Sequence, residues 1–205
     1  MAEVKEERTE LICILDKSGS MCGYESDTIG GFNAMLSAQR KLPGTCYVTT
    51  ILFDDKVSLL HNRCDIQEMK DLTEKDYQPG GCTAMLDAIG MGIKHMVKHL
   101  RQVKEEAQPA HVIFFITTDG MENASRHFSK KEVKRMIEQE KEKYGWEFIF
   151  SGADIDVEEI AEELAIDEED AYEFERSSAG IEANMVKMCC MACDIREGKR
   201  RKKNK

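Results

Sequence analysis

The sequence is poor in aromatic residues, in proline and in positive charge. Aromatic side chains make up 7% of the 205 residues, and the chain has only 3 prolines and 1 tryptophan. The 29 Lys and Arg residues are outnumbered by 39 Asp and Glu residues, which gives a formal net charge of −10. Because contacts to nucleic-acid phosphates require a cationic surface, this balance argues against a nucleic-acid-binding protein.

Long hydrophobic runs are also missing. No stretch approaches the roughly 18 apolar residues of a membrane-spanning helix, so we expect no membrane span. The first ten residues, MAEVKEERTE, are charged and lack the apolar segment of a secretory signal. We therefore expect a cytoplasmic protein, and we expect its 8 cysteines to be reduced thiols rather than disulfides.

Two groups of residues have the spacing of metal ligands without forming a complete site. Cys190 and Cys193 form a CxxC pair that Cys189 extends, but no second pair or histidine lies near them in the sequence. His95 and His99 are four residues apart on a predicted helix, and no third ligand accompanies them. We expect packing on a helix face for the cysteines and surface positions for the histidines.

Apolar runs alternate with helical patterns along the chain, which is typical of βαβ units and a mostly parallel sheet. The run HVIFFITT is the strongest strand pattern, and we expect it to be central and buried. Strands are predicted at residues 11–15, 45–53, 57–60, 111–118, 146–151 and 171–175. Helices are predicted at residues 27–40, 83–103 and 177–194, and after the N-caps Ser129 and Asp156.

The first predicted strand runs directly into the sequence DKSGS. Asp16, Ser18 and Ser20 supply one carboxylate and two hydroxyls at alternate positions, so three oxygens can face one point. Ligand sets made only of oxygen suit a hard cation such as Mg²⁺ or Mn²⁺. By itself the pattern is weak, because Asp16 could equally be a helix cap beside ordinary loop hydroxyls.

Two other segments add oxygen ligands at the same edge of the sheet. The strongest strand is followed by Asp119, and a glycine-rich segment leads to Thr83 at the start of a long helix. Open α/β sheets bind ligands beyond the carboxyl ends of their strands, so Asp16 and Asp119 converge if their strands are neighbours. Thr83 could instead be only a helix N-cap, and we expect Glu122 and Asn123 to be turn residues rather than ligands.

Together these segments resemble the von Willebrand factor type A domain and its metal-ion-dependent adhesion site, DxSxS…T…D. The resemblance extends over about residues 9–194, between a polar segment at 1–8 and a basic, disordered tail at 195–205. It implies a three-layer α/β/α, Rossmann-like fold with strand order 3-2-1-4-5-6 and an antiparallel edge strand at residues 57–60. The five positions of the site are matched, in the family's order, by Asp16, Ser18, Ser20, Thr83 and Asp119.

The resemblance also implies how the site works. Ser18 and Ser20 would bind Mg²⁺ or Mn²⁺ directly, Thr83 would bind directly or through water, and Asp16 and Asp119 would act mostly through water. Neutral hydroxyls leave most of the ion's charge uncompensated, so an Asp or Glu of a partner protein would complete the coordination. The implied function is a non-enzymatic protein-binding module of the small intracellular bacterial type, which works beside ATPases or in assembly systems.

The residues around the motif allow a prediction about its rim. Met21, Cys22 and Tyr24 are candidates for apolar contacts that keep water away from a bound partner, unless Met21 packs inward under its own loop. Lys17 is expected to face the solvent.

A metal-dependent phosphohydrolase resembling the haloacid dehalogenases is the alternative function. Asp16 would be its nucleophile and Thr118 its phosphate-binding hydroxyl. That family needs a second Asp two residues after the first as a general acid, and this sequence has Ser18 there. A third possibility is a purely structural protein that binds no metal.

Overall fold

The structure, a computed structural model, describes residues 7–199. Its sheet has the order β3-β2-β1-β4-β5-β6, in which β3 is antiparallel to β2 and every other neighbouring pair is parallel. The predicted strand order and the antiparallel edge strand are therefore confirmed. The strands are β1 (Arg8–Asp16), β2 (Thr45–Phe53), β3 (Val57–Asp65), β4 (His111–Thr118), β5 (Glu147–Gly152) and β6 (Ala171–Glu173).

Helices cover both faces of the sheet. They are α1 (Glu25–Gln39), α2 (Met85–Leu100), α3 (Lys130–Tyr144), α4 (Val157–Glu163) and α5 (Ser178–Arg196). Ser129 and Glu132 form the predicted capping box of α3, and Asp156 caps α4 through the Glu159 N–H. Within residues 7–199, no helix is both long and apolar enough to cross a membrane.

Side chains of β1 alternate between two apolar layers, as the two-residue repeat of a strand requires. Leu11, Cys13 and Leu15 pack with α1 and α5, whereas Ile12 and Ile14 pack with α2, α3 and α4. All five are fully buried. This arrangement makes β1 a central strand with both faces covered.

The ends of several elements differ from the predicted ones. Strand β1 begins three residues earlier than predicted because Thr9 and Glu10 are polar yet buried. Helix α5 includes Ile195 and Arg196, which the sequence assigned to the tail, and Arg196 donates to the Gln39 carbonyl oxygen at 2.9 Å. Residues 200–205 of the predicted tail, and the first six residues, lie outside the described part of the chain.

The topology creates a crevice where the chain leaves β1 and β4. These two strands are parallel neighbours, paired from Thr9↔His111 to Leu15↔Thr117. After β1 the chain passes to α1 on one face, and after β4 it passes to α3 on the other face. Such a switch point at the carboxyl ends of parallel strands is the usual ligand-binding location in open α/β sheets.

Candidate metal centre

Asp16 is the last residue of β1, and both of its carboxylate oxygens accept hydrogen bonds. The Ser18 N–H donates to Oδ1 at 2.7 Å, and the Thr118 hydroxyl donates to Oδ2 at 2.5 Å. The Tyr77 hydroxyl donates to the Asp16 carbonyl oxygen at 2.5 Å. Asp16 is 2% exposed, and these contacts fix the orientation of its carboxylate.

The two serine hydroxyls connect the β1 loop to Asp119 at the end of β4. Ser18 Oγ lies 3.1 Å from Ser20 Oγ, and the Ser20 hydroxyl donates to Asp119 Oδ1 at 2.6 Å. Asp119 Oδ2 is buried and has no hydrogen-bond partner among the described residues. Because an unpaired buried carboxylate oxygen is costly, this atom marks a place where a cation would be stabilising.

Thr83 reaches the same point from the loop before α2. A Cβ atom on Gly120 would lie 3.2 Å from Thr83 Oγ1 and 3.6 Å from Ser20 Oγ, so both hydroxyls lie over Gly120. Thr83 is not the N-cap of α2, because Ala84 occupies that position and makes no side-chain cap. All five residues predicted from the sequence therefore converge; we call them the oxygen cluster (Asp16, Ser18, Ser20, Thr83 and Asp119).

The loop after β4 holds Thr83 and the start of α2 in place. Asn123 Oδ1 accepts from the Thr83 N–H at 2.9 Å, and the Asn123 N–H donates to the Thr83 carbonyl oxygen at 3.0 Å. Glu122 accepts from the Leu86 N–H at 2.8 Å and from two backbone N–H groups of its own loop. Glu122 and Asn123 are thus turn residues, as expected, but they also fix the position of a candidate ligand.

Two backbone hydrogen bonds join the β1 loop to the glycine-rich loop that carries Thr83. The Gly19 N–H donates to the Gly81 carbonyl oxygen at 3.1 Å, and the Gly80 N–H donates to the Lys17 carbonyl oxygen at 2.8 Å. Gly81 has φ +74°, and a Cβ atom there would lie 2.4 Å from Asp55 Oδ1. A side chain at this φ would be strained, which explains the glycine at position 81.

The two carboxylates of the oxygen cluster are poorly compensated in charge. Burial is the main cause that raises the pKa of Asp16 to about 6, against the hydrogen bonds from Thr118 and Ser18 that lower it. Burial likewise raises the pKa of Asp119. Lys17, which was expected to face the solvent, is half-buried and forms an ion pair with Asp54 instead. A bound cation would favour the charged form of both acids.

The chemistry of these donors suits a hard divalent cation. Within residues 7–199 no group of three or more His, Cys, Asp or Glu side chains is placed to hold a metal ion. The oxygen cluster instead combines two carboxylates with three hydroxyls, and one buried carboxylate oxygen has no partner in the described chain. Mg²⁺ and Mn²⁺ prefer such oxygen ligands, so the residues present fit either ion.

The rim of the oxygen cluster differs in part from the predicted one. Met21 is 6% exposed and packs inward, whereas Cys22 is exposed and Tyr24 is half-buried. Met121, two residues after Asp119, is 70% exposed and is an apolar rim residue that the sequence analysis missed. Its only signal in the sequence is its position beside the motif.

Comparisons with known proteins identify the fold. No family model and no curated protein matches the chain. The von Willebrand factor domain of the type V pili tip protein Mfa5 from Porphyromonas gingivalis has a TM-score of 0.64 and 10% identity, covering 98% of this chain and 99% of that one. Proximal thread matrix protein 1 from the mussel byssus, with its MIDAS motif occupied by zinc, has a TM-score of 0.63 and 15% identity. This match covers 92% of the present chain and 46% of the mussel protein. Manganese-loaded TRAP from Plasmodium vivax has a TM-score of 0.57 and 15% identity, and the match covers 89% of the present chain and 73% of the TRAP chain.

These identities, between 10% and 15%, are informative about the fold alone. The chain spans a little under half of the mussel protein, and 42% of a von Willebrand factor type A protein from Catenulispora acidiphila with a TM-score of 0.56 and 14% identity. The strand order, the antiparallel edge strand and the helices on both faces are those that the sequence resemblance implies. The chain therefore has the α/β fold of von Willebrand factor type A domains.

Proposed function

We propose that this chain is a metal-dependent protein-binding module whose oxygen cluster holds Mg²⁺ or Mn²⁺. The observation that carries the proposal is Asp119 Oδ2, a buried carboxylate oxygen without a partner in the described chain, beside the hydroxyls of Ser20 and Thr83. The zinc in the MIDAS motif of the mussel protein and the manganese in the manganese-loaded TRAP protein support a metal ion bound to this fold.

The two carboxylates would have different tasks. Both oxygens of Asp16 already accept hydrogen bonds, so Asp16 mainly orients the β1 loop and Thr118. Asp119 has one oxygen bound to Ser20 and one oxygen available. The serine and threonine hydroxyls can turn their protons away and present lone pairs.

A divalent ion there would be bound by three neutral hydroxyls and one carboxylate oxygen, that of Asp119, because both oxygens of Asp16 are already engaged. Part of the ion's charge then stays uncompensated in its direct contacts and attracts a carboxylate of another protein. Attraction between opposite charges is strong only where water is excluded. The exposed thioether of Met121 and the exposed Cys22 and Cys82 surround this end of the loops and can make such contacts. We therefore propose a partner that presents an Asp or Glu flanked by apolar residues.

The phosphohydrolase alternative is less well supported. Ser18 occupies the position of the general acid in that family, and a serine hydroxyl does not donate a proton near neutral pH. Asp16, the nucleophile in this alternative, is 2% exposed and has both oxygens engaged. We propose that the chain is not an enzyme.

Its eight cysteines are all unpaired, and this supports a reducing compartment such as the cytoplasm.

Metal binding can be tested by thermal unfolding with and without Mn²⁺ or Mg²⁺. At a tenfold excess of ion over Kd, binding stabilises the folded state by about 1.4 kcal/mol. The double variant Ser18→Ala/Ser20→Ala should fold and lose this increase in Tm. The matched control, Ser26→Ala/Ser37→Ala, removes two exposed hydroxyls of α1 and should keep it. An increase that survives in the Ser18/Ser20 variant would refute the assignment of the oxygen cluster.

Partner binding needs a separate experiment. The wild-type chain with Mn²⁺, the same chain with EDTA and the Ser18→Ala/Ser20→Ala variant are compared as baits in a native lysate. A partner of the proposed kind is captured only by the first bait. Substituting the partner's contacting Asp or Glu with Asn or Gln should then abolish capture. If the same proteins bind to all three baits, the interaction does not depend on the metal.

A further inference from the structure

A second polar pocket lies away from the oxygen cluster, between the edge strand β3 and the last turns of α2. Its volume is about 310 Å³. Among residues 7–199 it is lined by two cationic side chains, two imidazoles and two amides, and by no acidic side chain. We call it the basic pocket (Asn62, Arg63, His95, Lys98, His99 and Gln102). Such a concentration of donors is unexpected in a chain with a net charge of −10.

Arg63 lies in this pocket with a strained backbone conformation. It has φ +48° at an irregularity in the β2–β3 pairing, a conformation that non-glycine residues rarely adopt. Its Nε and Nη2 donate to the two oxygens of buried Glu10 at 2.9 and 2.5 Å, and its guanidinium stacks on the Tyr47 ring at 4.7 Å. Strained, over-determined residues of this kind are common at functional sites.

The ion pair with Glu10 leaves part of the guanidinium available. Glu10 binds Nε and Nη2 and makes no hydrogen bond with Nη1. An anion in the pocket could therefore accept from Arg63 without breaking the pair that holds it. Charge-assisted hydrogen bonds from guanidinium to phosphate are among the stronger polar contacts in proteins.

Helix α2 supplies the remaining donors. Lys98 is exposed and forms no ion pair with another described residue, and His99 is half-buried beside it. His95 Nε2 lies 2.8 Å from Asn62 Oδ1, which fixes its ring. Burial, followed by the charge of Arg63, lowers the pKa of both histidines, so the charge of Arg63 is felt across the pocket.

We propose that the basic pocket binds a phosphate group, either as free phosphate or as part of a small phosphomonoester. Lys98 would supply the uncompensated positive charge for an oxyanion there, and Arg63, whose charge is paired with Glu10, would add a charge-assisted hydrogen bond. Gln102 and His99 would donate further hydrogen bonds. A metal cation is disfavoured at the two histidines because the same two positive charges repel it. A volume of about 310 Å³ lies at the lower end of the range for small-molecule sites.

The test observes the histidine rings by NMR while inorganic phosphate is added in the presence of EDTA, so that no metal site contributes. The signals of His95 and His99 should shift saturably, and those of His61, His111 and His127 should not. Lys98→Gln should weaken binding several-fold. Lys94→Gln removes the same charge one turn earlier, where the ammonium lies over the Phe128 ring at 4.4 Å, and should leave binding unchanged.

Two outcomes would overturn the proposal. One is a uniform, non-saturating drift of all five histidines, which is only an ionic-strength effect. The other is equal weakening by Lys98→Gln and Lys94→Gln, which would indicate nonspecific attraction to the helix. Glycerol phosphate distinguishes the sources: tighter binding than phosphate identifies a phosphomonoester ligand, and weaker binding identifies free phosphate.

Discussion

Strands β1 and β4 change character within a few residues, between the centre of the sheet and its carboxyl edge. At the centre, Ile14, Phe114 and Ile116 are apolar and fully buried, and their burial drives folding. At the edge, Asp16 and Asp119 are 2% and 3% exposed, so they are almost as buried but carry charge. Burying a poorly compensated carboxylate destabilises a protein. The centre therefore stabilises the fold, whereas the edge, where the candidate site lies, reduces that stability.

The largest change in the free energy of unfolding should come from a substitution at the centre of the sheet. Ile116→Ala removes a fully buried side chain from β4 and leaves a cavity between layers of the core. We expect a loss of about 2–5 kcal/mol in the free energy of unfolding, measured by urea denaturation. The affinity for Mn²⁺ should be unchanged in the folded fraction. Rapid hydrogen exchange of β4 in the wild-type chain would contradict this view of the sheet.

A substitution at the carboxyl edge of the sheet should stabilise the metal-free protein rather than destabilise it. Asp119→Asn removes a buried charge that has one unpaired oxygen, so the metal-free protein should become more stable, by about 1–3 kcal/mol. The same variant should lose the stabilisation by Mn²⁺. Asp194→Asn, an equal charge change at an exposed residue of α5, should do neither. A less stable Asp119→Asn protein that still binds Mn²⁺ would show that Asp119 has only a structural role.

The centre of the sheet could be predicted from the sequence more fully than its margins. A run such as HVIFFITT has the length and apolarity of a buried strand, and β4 has the predicted bounds. Thr9 and Glu10 in β1 were missed because hydropathy does not indicate that a buried acid has a partner. That partner, Arg63, is 53 residues away on β3. It lies in the second half of β3, which extends to Asp65 rather than ending at residue 60.

Contacts between residues far apart in the sequence were also missed at the candidate site. The five residues of the oxygen cluster lie at strand ends or before a helix, so their positions, together with the family resemblance, are enough to predict that they converge. The residues that hold them have no local pattern: Tyr77 contacts Asp16 across 61 positions, and Asn123 contacts Thr83 across 40. Met21 was ambiguous for a similar reason, because an apolar residue in a loop can pack inward or face a partner.

The pH dependence of stability distinguishes the two regions further. Burial raises the pKa of Asp16 from its ordinary value of 3.8 to about 6, so the folded metal-free protein binds a proton more tightly than the unfolded chain. This group's contribution to stability is therefore fully present below pH about 4 and is lost as the pH rises through about 6. The difference in unfolding free energy between wild type and Asp16→Asn, measured from pH 4 to 7, isolates this contribution. A flat difference would mean that Asp16 stays ionised without metal.

The smallest change in stability and in Mn²⁺ binding is expected from a substitution of Lys17, the one cation within the DKSGS sequence. Its ammonium pairs with Asp54, and the two side chains are 17% and 13% exposed. The loop is held independently by backbone hydrogen bonds, from the Lys17 N–H to the Phe53 carbonyl oxygen at 2.7 Å and from the Gly80 N–H to the Lys17 carbonyl oxygen at 2.8 Å. Lys17→Gln keeps a hydrogen-bond donor next to Asp54, so it should change the unfolding free energy by only about 1 kcal/mol. Titration calorimetry should find Mn²⁺ binding equal to that of the wild type or slightly tighter, because a nearby positive charge has been removed. If Lys17→Gln instead abolished Mn²⁺ binding as completely as Asp119→Asn, the ion pair with Asp54 would be part of the site, and the edge would depend on charge pairing as well as on its oxygens.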